Sequence, residues 1–234
     1  EDLIKRGALS VRVLARHSPK EEHLRVSGAE YVQGSLTNSR DVENALQGVT
    51  VVFQLAAYTG TPSFGYRSDA DRKRAVEVNL GGMKTVIEQS KKSNVKLLVF
   101  TSSVDVVFNP YKGYVNATES ELEYVTSFGG RLPCHYQHSK IMAERALLAA
   151  DTPGGMRTMA IRPGGIYGPG EDSAIPKIID AGWFTGRHLL AFENGSPELG
   201  EKQLIDWTFA YNIAFAHVLA VHQLDQGRGN LFGG

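Results

Sequence analysis

The sequence predicts an α/β protein built on a Rossmann-like, doubly wound parallel sheet that is incomplete at the N-terminus, with a small partial substrate-binding region. Two observations lead to this prediction. Short apolar runs alternate with longer helix-like stretches, which is the rhythm of β–α–β units. The runs are apolar at nearly every position, as expected for strands that helices cover on both faces.

The runs predicted as strands are residues 11–15, 30–33, 51–55, 96–101 and 157–162. The segments predicted as helices are 38–46, 69–93, 136–150 and 212–224. The first of these helices has the clearest ends. Thr37 or Asn38 is its N-cap, because either side chain can accept hydrogen bonds from the first turn, and Gly48 follows its last residue.

The chain is predicted to contain two regions. Residues 1–168 form the sheet domain, and residues 169–234 form the smaller substrate-binding region. The boundary is placed after Gly168 because glycines and prolines interrupt the pattern from there onward. Helix 212–224 is expected to pack back on the sheet domain.

The beginning of the chain resembles the end of a helix, since Gly7 follows a helix-like stretch and a strand comes next. In a nucleotide-binding β–α–β unit, a strand and a glycine-rich turn precede that helix. The first 30 residues contain no G-x-G-x-x-G cluster. We therefore expect roughly 20 further residues ahead of Glu1, which carry the first strand and the glycine-rich loop.

A tyrosine and a lysine lie four residues apart at the start of helix 136–150. At this spacing Tyr136 and Lys140 share one face of the helix. A nearby ammonium stabilises a phenolate, which suits such a tyrosine to act as a general acid and base. The same spacing also arises by chance, so a further polar group is needed to indicate a site.

Ser102 and Ser103 supply this group at the end of strand 96–101. Ligands of open parallel sheets bind at the carboxyl ends of the strands. A serine there can donate a hydrogen bond to a substrate carbonyl or alkoxide, although an isolated serine more often caps the next segment. Together with Tyr136 and Lys140, the serines favour a catalytic site.

Several motifs occur in the order found in extended short-chain dehydrogenases and together cover most of the chain. They are Leu55-Ala56-Ala57, Asn79 within a long helix, Phe100-Thr101-Ser102-Ser103, Tyr136-x-x-x-Lys140 and the run from Arg162 to Gly170. Through its tyrosine–lysine segment and residues 162–171, the chain resembles the 3β-hydroxysteroid dehydrogenase/isomerase branch. The segment 205–220 resembles the same branch.

This resemblance implies an NAD(P)-dependent oxidoreductase. It would transfer a hydride between nicotinamide and a secondary alcohol or ketone, such as a 3β-hydroxysteroid or a sterol. Tyr136 would be the proton donor and acceptor, while Lys140 would bind the nicotinamide ribose and favour the phenolate. Ser103, rather than Ser102, would orient the reacting oxygen, and Asn79 would support a proton relay to the lysine through water.

The resemblance also implies where the dinucleotide binds. Besides Lys140, the contacts would come from Leu55, Ala56, Ala57, Pro163, Gly164 and Ile166. Ser35 and Leu36 stand where the family carries a Gly-Asp-hydrophobic motif that touches adenine. The backbone contact of Leu36 can remain, but the hydrogen bond from a carboxylate to the adenine amine is lost.

Arg16 is the residue from which we predict whether the cofactor is NADP or NAD. Relatives that prefer NAD carry a carboxylate at the end of the strand that corresponds to residues 11–15, where it binds the ribose hydroxyls. This chain instead has Ala15 at that position, followed by Arg16. A guanidinium pairs bidentately with phosphate. We therefore expect NADP as the cofactor, with NAD as the alternative, unless Arg16 is an ordinary surface residue.

Composition limits the partners. The 25 basic and 25 acidic residues cancel, so the overall charge does not favour nucleic acid. No third ligand accompanies His135 and His138, and no metal site is predicted. We expect a small-molecule substrate, with a homodimer as one possible assembly. Membrane association stays open, and the expected location is the cytoplasm or the cytosolic face of a membrane.

Two other functions stay open. One is a nucleotide-sugar epimerase or dehydratase on the same scaffold, although such dehydratases carry a Thr-Asp-Glu type segment where Ser103-Val104-Asp105 stands here. The other is a non-catalytic, dinucleotide-binding fragment. Non-catalytic members typically lose the tyrosine or the lysine, and both are present in this chain.

Overall fold

The computed structural model describes residues 10–17, 28–59, 69–109, 114, 116–127, 133–171 and 206–225. The strands in these ranges are β1 (Val11–Ala15), β2 (Ala29–Gln33), β3 (Val51–Gln54), β4 (Leu97–Thr101), β5 (Arg157–Ile161), β6 (Gly165–Tyr167) and β7 (Trp207–Phe209). The α-helices are α1 (Ser39–Ala45), α2 (Asp69–Ala75), α3 (Gly82–Lys92), α4 (His135–Leu148) and α5 (Ala210–Asp225). Short 3₁₀ turns cover Val104–Val106 and Glu119–Glu121.

All the ladders between these strands are parallel. β1 pairs with β2, β4 lies between β3 and β5, and β6 pairs with β7. Within the described ranges no ladder joins β1 to β3, so each of these two strands keeps one edge without a strand partner there. The expected further strand ahead of Glu1 stays a prediction.

The central strand β4 is covered by helices on both faces. Leu98 and Phe100 pack into a cluster that includes residues of α1, α3 and α4. Leu97 and Val99, which point the other way, pack against the apolar face of α5. All four side chains are at most 2% exposed. The unbroken apolar run therefore predicted a doubly covered strand correctly.

The helix α1 begins and ends as the sequence predicts. Of the two candidate caps, Asn38 is the N-cap, and its Oδ1 accepts backbone N–H groups at 3.0 and 3.3 Å. Gly48 has a φ of +71°, a conformation that glycine adopts without strain. Arg12 of β1 donates to the Ala45 carbonyl at 2.8 Å and so joins the end of this helix to the sheet.

The predicted helix 69–93 is interrupted. Val76–Gly81 forms a π-helical turn between α2 and α3, which the apolar pattern did not reveal. A π turn widens the helix by one residue and is frequent at functional sites. Here it contains Asn79, which is 3% exposed and turned toward α4.

The pair β6–β7 was not predicted either. A Cβ atom on Gly164 would lie 2.5 Å from the Asp206 carbonyl oxygen, and one on Gly165 would lie 2.7 Å from the Trp207 ring. At Gly164 the backbone just before β7 leaves no room for a side chain, and at Gly165 the Trp207 ring occupies the space that a Cβ atom would need. The glycines of this run are therefore required for strand packing.

α5 begins two residues before the predicted helix and packs against β4 and β5. The division of the chain at residue 168 stays a prediction. None of the described helices is both long and apolar enough to cross a bilayer. The same ranges contain no group of three or more His, Cys, Asp or Glu side chains placed to hold a metal ion.

Candidate active site

A pocket of about 250 Å³ lies at the carboxyl ends of β3, β4 and β5. It is lined by Leu55, Ala57, Thr59, Thr101, Ser102, Ser103, Tyr136, Lys140, Pro163, Gly164 and Ile166. Of this set, Thr59 and Thr101 had no predicted role, and the sequence favoured Ser103 over Ser102. The residues that follow β3, β4 and β5 come together because parallel strands end on the same side of a sheet, and the first turns of α4 add Tyr136 and Lys140.

Lys140 is buried in the wall of this pocket. Its Nζ donates to the Thr101 carbonyl oxygen at 2.5 Å and lies 4.2 Å from the centroid of the Phe100 ring. The same nitrogen is 6.0 Å from the centroid of the Tyr136 ring. The tyrosine and the lysine therefore share a helix face and one pocket, as their spacing predicts.

The environment of Lys140 affects its charge. Burial lowers the pKa of its ammonium to about 8, while the Glu144 and Asp105 carboxylates act in the opposite direction. With a pKa near 8, the ammonium is largely protonated at neutral pH and can stabilise an anion beside it.

The two serines at the end of β4 have different surroundings. Ser103 Oγ accepts the N–H of Asp105 at 3.2 Å and caps the 3₁₀ turn that follows. Ser102 Oγ is buried and has no hydrogen-bond partner among the described residues. A buried hydroxyl without a partner is costly, and a ligand in the pocket can supply the missing bond. The orienting role of Ser103 stays a prediction.

Asn79 does not line the pocket. It lies against α4, the helix that carries Tyr136 and Lys140. Its Nδ2 donates to the Ser139 hydroxyl and to the Tyr58 carbonyl, both at 2.9 Å, and its Oδ1 accepts the Tyr58 N–H at 2.7 Å. Ser139 Oγ donates in turn to the Tyr136 carbonyl at 2.8 Å. The amide thus joins the segment after β3 to α4. Its predicted role in a proton relay stays a prediction.

The remaining predicted contacts lie outside this pocket. Arg16 is exposed just after β1. The Ser35 N–H donates to the Asp41 carboxylate at 2.9 Å, and Leu36 packs on the apolar core beside α3. Ala56 is exposed after β3. Arg16, Ser35 and Leu36 lie beside the carboxyl ends of β1 and β2. The adenosine part of a dinucleotide is predicted to bind on this side of the sheet.

His217 of α5 was not singled out by any sequence pattern. Its Nε2 lies 2.7 Å from Thr101 Oγ1, and its Nδ1 lies 2.7 Å from the Ile213 carbonyl oxygen. Since a carbonyl can only accept, Nδ1 carries a proton. Burial lowers the pKa of His217, which favours the neutral ring, so the Thr101 hydroxyl donates to Nε2. The histidine therefore anchors the residue whose carbonyl binds Lys140.

A buried ion pair follows one helical turn after Lys140. Glu144 Oε1 accepts from Arg162 Nη2 at 2.6 Å, from Arg162 Nε at 3.0 Å and from the Tyr124 hydroxyl at 2.8 Å. Its Oε2 is buried and has no partner among the described residues. The i+4 spacing from Lys140 was a signal for Glu144 in the sequence, whereas Tyr124 had none.

Comparison with known proteins identifies the family. The model of the 3-beta hydroxysteroid dehydrogenase/isomerase family matches residues 1–232. The chain belongs to this family. The predicted branch of the extended short-chain dehydrogenases is thus confirmed.

Curated relatives agree with this membership. Human short-chain dehydrogenase/reductase family 42E member 1 is 33% identical over 217 residues, which cover 88% of this chain and 51% of that protein. Sterol-4-alpha-carboxylate 3-dehydrogenase, decarboxylating, of Mus musculus is 35% identical over 202 residues, covering 84% and 49%. This member of the family therefore spans about half the length of the curated relatives it matches.

Solved structures share the fold. UDP-glucose 4-epimerase of Thermotoga maritima superimposes with a TM-score of 0.72 at 21% identity, covering 94% of this chain and 67% of that one. UDP-glucose 4-epimerase of Thermus thermophilus, in complex with NAD, gives 0.70 at 24% identity, covering 94% and 68%. The predicted doubly wound α/β fold is confirmed.

Proposed function

We propose that the natural protein is a nicotinamide-dependent oxidoreductase that interconverts a secondary alcohol and a ketone, with a 3β-hydroxysteroid or a sterol as substrate. The proposal rests on the observation that Tyr136, Lys140 and the two serines after β4 line one and the same pocket. Family membership, and the sterol dehydrogenase among the relatives, favour a sterol. The expected homodimer and the cytoplasmic or cytosolic-face location are proposals as well.

Residues of the chain supply the proton transfer. During oxidation, Tyr136 reacts as the phenolate, which the Lys140 ammonium stabilises, and it accepts the proton of the substrate hydroxyl to become the neutral phenol. Ser103, or Ser102 with its unpartnered hydroxyl, donates a hydrogen bond to the same substrate oxygen. A nicotinamide held in this pocket would supply the hydride acceptor in this direction and the hydride donor in the reverse direction.

The residues present fit a nicotinamide riboside. The Lys140 ammonium has three N–H donors, of which the Thr101 carbonyl takes one, so a ribose hydroxyl can accept another. Leu55, Pro163 and Ile166 add apolar surface suited to a flat ring. The unpartnered Ser102 hydroxyl is a donor or acceptor for a polar substituent.

An assay of the purified natural protein tests the function. A 3β-hydroxysteroid, a 4α-carboxysterol, a small secondary alcohol and UDP-glucose are each mixed with NADP or NAD, and absorbance at the reduced-nicotinamide band is followed. We expect net reduction with a sterol or steroid and none with UDP-glucose. Conversion of UDP-glucose to its 4-epimer without net reduction would support the epimerase instead. Dinucleotide binding without any turnover would support the non-catalytic alternative.

NADP is the proposed dinucleotide because Arg16 is exposed at the end of β1, with no carboxylate at Ala15. Arg16→Ala should weaken NADP(H) binding roughly 10- to 150-fold, or about 1.5–3 kcal/mol, the scale of a hydrogen bond to a charged group. NAD(H) binding should be nearly unchanged. Titration calorimetry of the natural protein and the variant measures both affinities.

The matched control for Arg16 is Lys92→Ala. Lys92 is 62% exposed and is the last residue of α3. It precedes the amino end of β4, whereas Arg16 follows the carboxyl end of β1. The substitution Lys92→Ala also removes one positive charge, and it should leave the affinities for NADP(H) and NAD(H) unchanged. Equal losses of NADP(H) and NAD(H) affinity in Arg16→Ala, or an initial preference for NAD(H), would contradict the proposed cofactor.

A further inference from the structure

A buried charged pair behind the pocket takes no part in the proposed proton transfer. The Glu144 side chain is 1% exposed and the Arg162 side chain is 20% exposed, and they meet at 2.6 Å. Removing two charges from water costs about as much as their attraction returns. Stability alone is therefore a weak explanation for this pair, and its position beside the pocket indicates a role in the site.

The pair connects two segments that both contribute residues to the pocket. Glu144 lies on α4, which carries Tyr136 and Lys140, and Arg162 directly precedes the pocket-lining Pro163. Arg162 Nε, Arg162 Nη2 and the Tyr124 hydroxyl all donate to one carboxylate oxygen of Glu144. These contacts join the side of α4 one turn beyond Lys140 to the residue that follows β5.

The charged and titratable groups around Lys140 come from three elements. Glu144 and Tyr136 lie on the same helix, and Asp105 lies on the 3₁₀ turn after β4. His217 of α5 reaches the lysine through Thr101. Burial disfavours the ammonium, and Glu144 opposes this effect more strongly than Asp105 does.

We propose that Glu144 is a positioning residue whose buried carboxylate keeps the Lys140 ammonium charged, while Arg162 holds that carboxylate in place and offsets part of its charge. Only the catalytic consequence rests on the proposed function. Because Tyr136 needs the charged lysine, loss of the Glu144 charge should restrict turnover at alkaline pH.

The test compares the natural protein with Glu144→Gln, which removes the charge and keeps an amide oxygen that can accept from Arg162 and Tyr124. With ¹³C-labelled lysine, the NMR signal that is lost in Lys140→Met is assigned to Lys140 and titrated. We expect the pKa of Lys140 to fall by at least about one unit in Glu144→Gln, roughly a tenfold loss of proton affinity. The alkaline limb of kcat/KM should move to lower pH in parallel.

A merely structural role of Glu144 gives the opposite sign. If the substitution only loosens the site, water solvates the ammonium and its pKa rises toward the ordinary lysine value. Two controls separate charge from packing. Glu88→Gln removes a carboxylate that is 62% exposed on α3, and Tyr124→Phe removes a hydrogen bond to Glu144 without changing charge. Both should leave the pKa of Lys140 nearly unchanged.

If Glu144→Gln does not fold, Arg162→Gln decides the question, because it removes the cation that offsets Glu144. The pKa of Lys140 should then rise, and an unchanged or lower value overturns the inference. An unchanged or raised pKa in folded Glu144→Gln also overturns it. A lowered pKa in a protein that oxidises no alcohol would support the charge coupling and count against the proposed function alone.

Discussion

Replacement of Tyr136 by phenylalanine in the natural protein should lower kcat by at least ~10²-fold, the low end for general acid–base catalysis. The variant keeps the ring whose centroid lies 6.0 Å from Lys140 Nζ and loses only the hydroxyl that would carry the proton. Dinucleotide affinity should change little, because Lys140 and the apolar walls of the pocket remain. Steady-state kinetics and dinucleotide titration measure the two effects separately.

The control for this prediction is Tyr211→Phe. Tyr211 lies on α5, is 57% exposed and does not line the pocket. The same loss of a hydroxyl should leave kcat unchanged at this position. Near-normal turnover of Tyr136→Phe would show that another group moves the proton, and the assignment of the site would be wrong.

Replacement of Leu147 by alanine should lower the free energy of unfolding by roughly 2–5 kcal/mol, the range for a fully buried leucine. Leu147 is 0% exposed and belongs to the cluster between α4 and β4. Its truncation removes apolar contacts and leaves a cavity that the surrounding helices and sheet fill only in part. Urea denaturation of the natural protein and the variant measures the loss.

The adjacent Leu148 provides a matched control for this loss. It is 44% exposed, and Leu148→Ala makes the same change in the same helix. Its effect should be below about 1 kcal/mol, since an exposed substitution far from special features changes stability little. Similar losses at both positions would contradict the orientation of α4 against the sheet.

The strands and their burial could be predicted because a doubly covered strand has a local signature. β1 matches its predicted bounds, and β3, β4 and β5 lie within theirs. The N-cap could be narrowed to Thr37 or Asn38 from the sequence, since a cap depends on residues within one turn, and the structure has Asn38 there. The π turn at Val76–Gly81 was missed because a wide turn changes hydrogen-bond register without interrupting the helix-like sequence.

For the candidate site, the sequence could predict the contacts that depend on local geometry. Tyr136 and Lys140 are one turn apart, so their shared face follows from helix geometry. Their proximity to Pro163 and Gly164 was implied by the family resemblance, and the rule that ligands bind at the carboxyl ends of parallel strands predicted the serines beside them. The predicted contacts at Arg16, Ser35 and Leu36 lie beside other strand ends, and their binding roles stay predictions.

By itself, the sequence determined the order of the strands β1 to β5, the positions of the helices and the pairing of a phenol with an ammonium, since each depends on neighbours within about a turn or a strand. Only the tertiary structure decided what surrounds that pair. His217 meets Thr101 across 116 residues of sequence, and Glu144 meets Arg162 across 18. No periodicity encodes such contacts, because they depend on how separate elements pack. Burial lowers the pKa of Lys140, and this burial is a property of the packed structure.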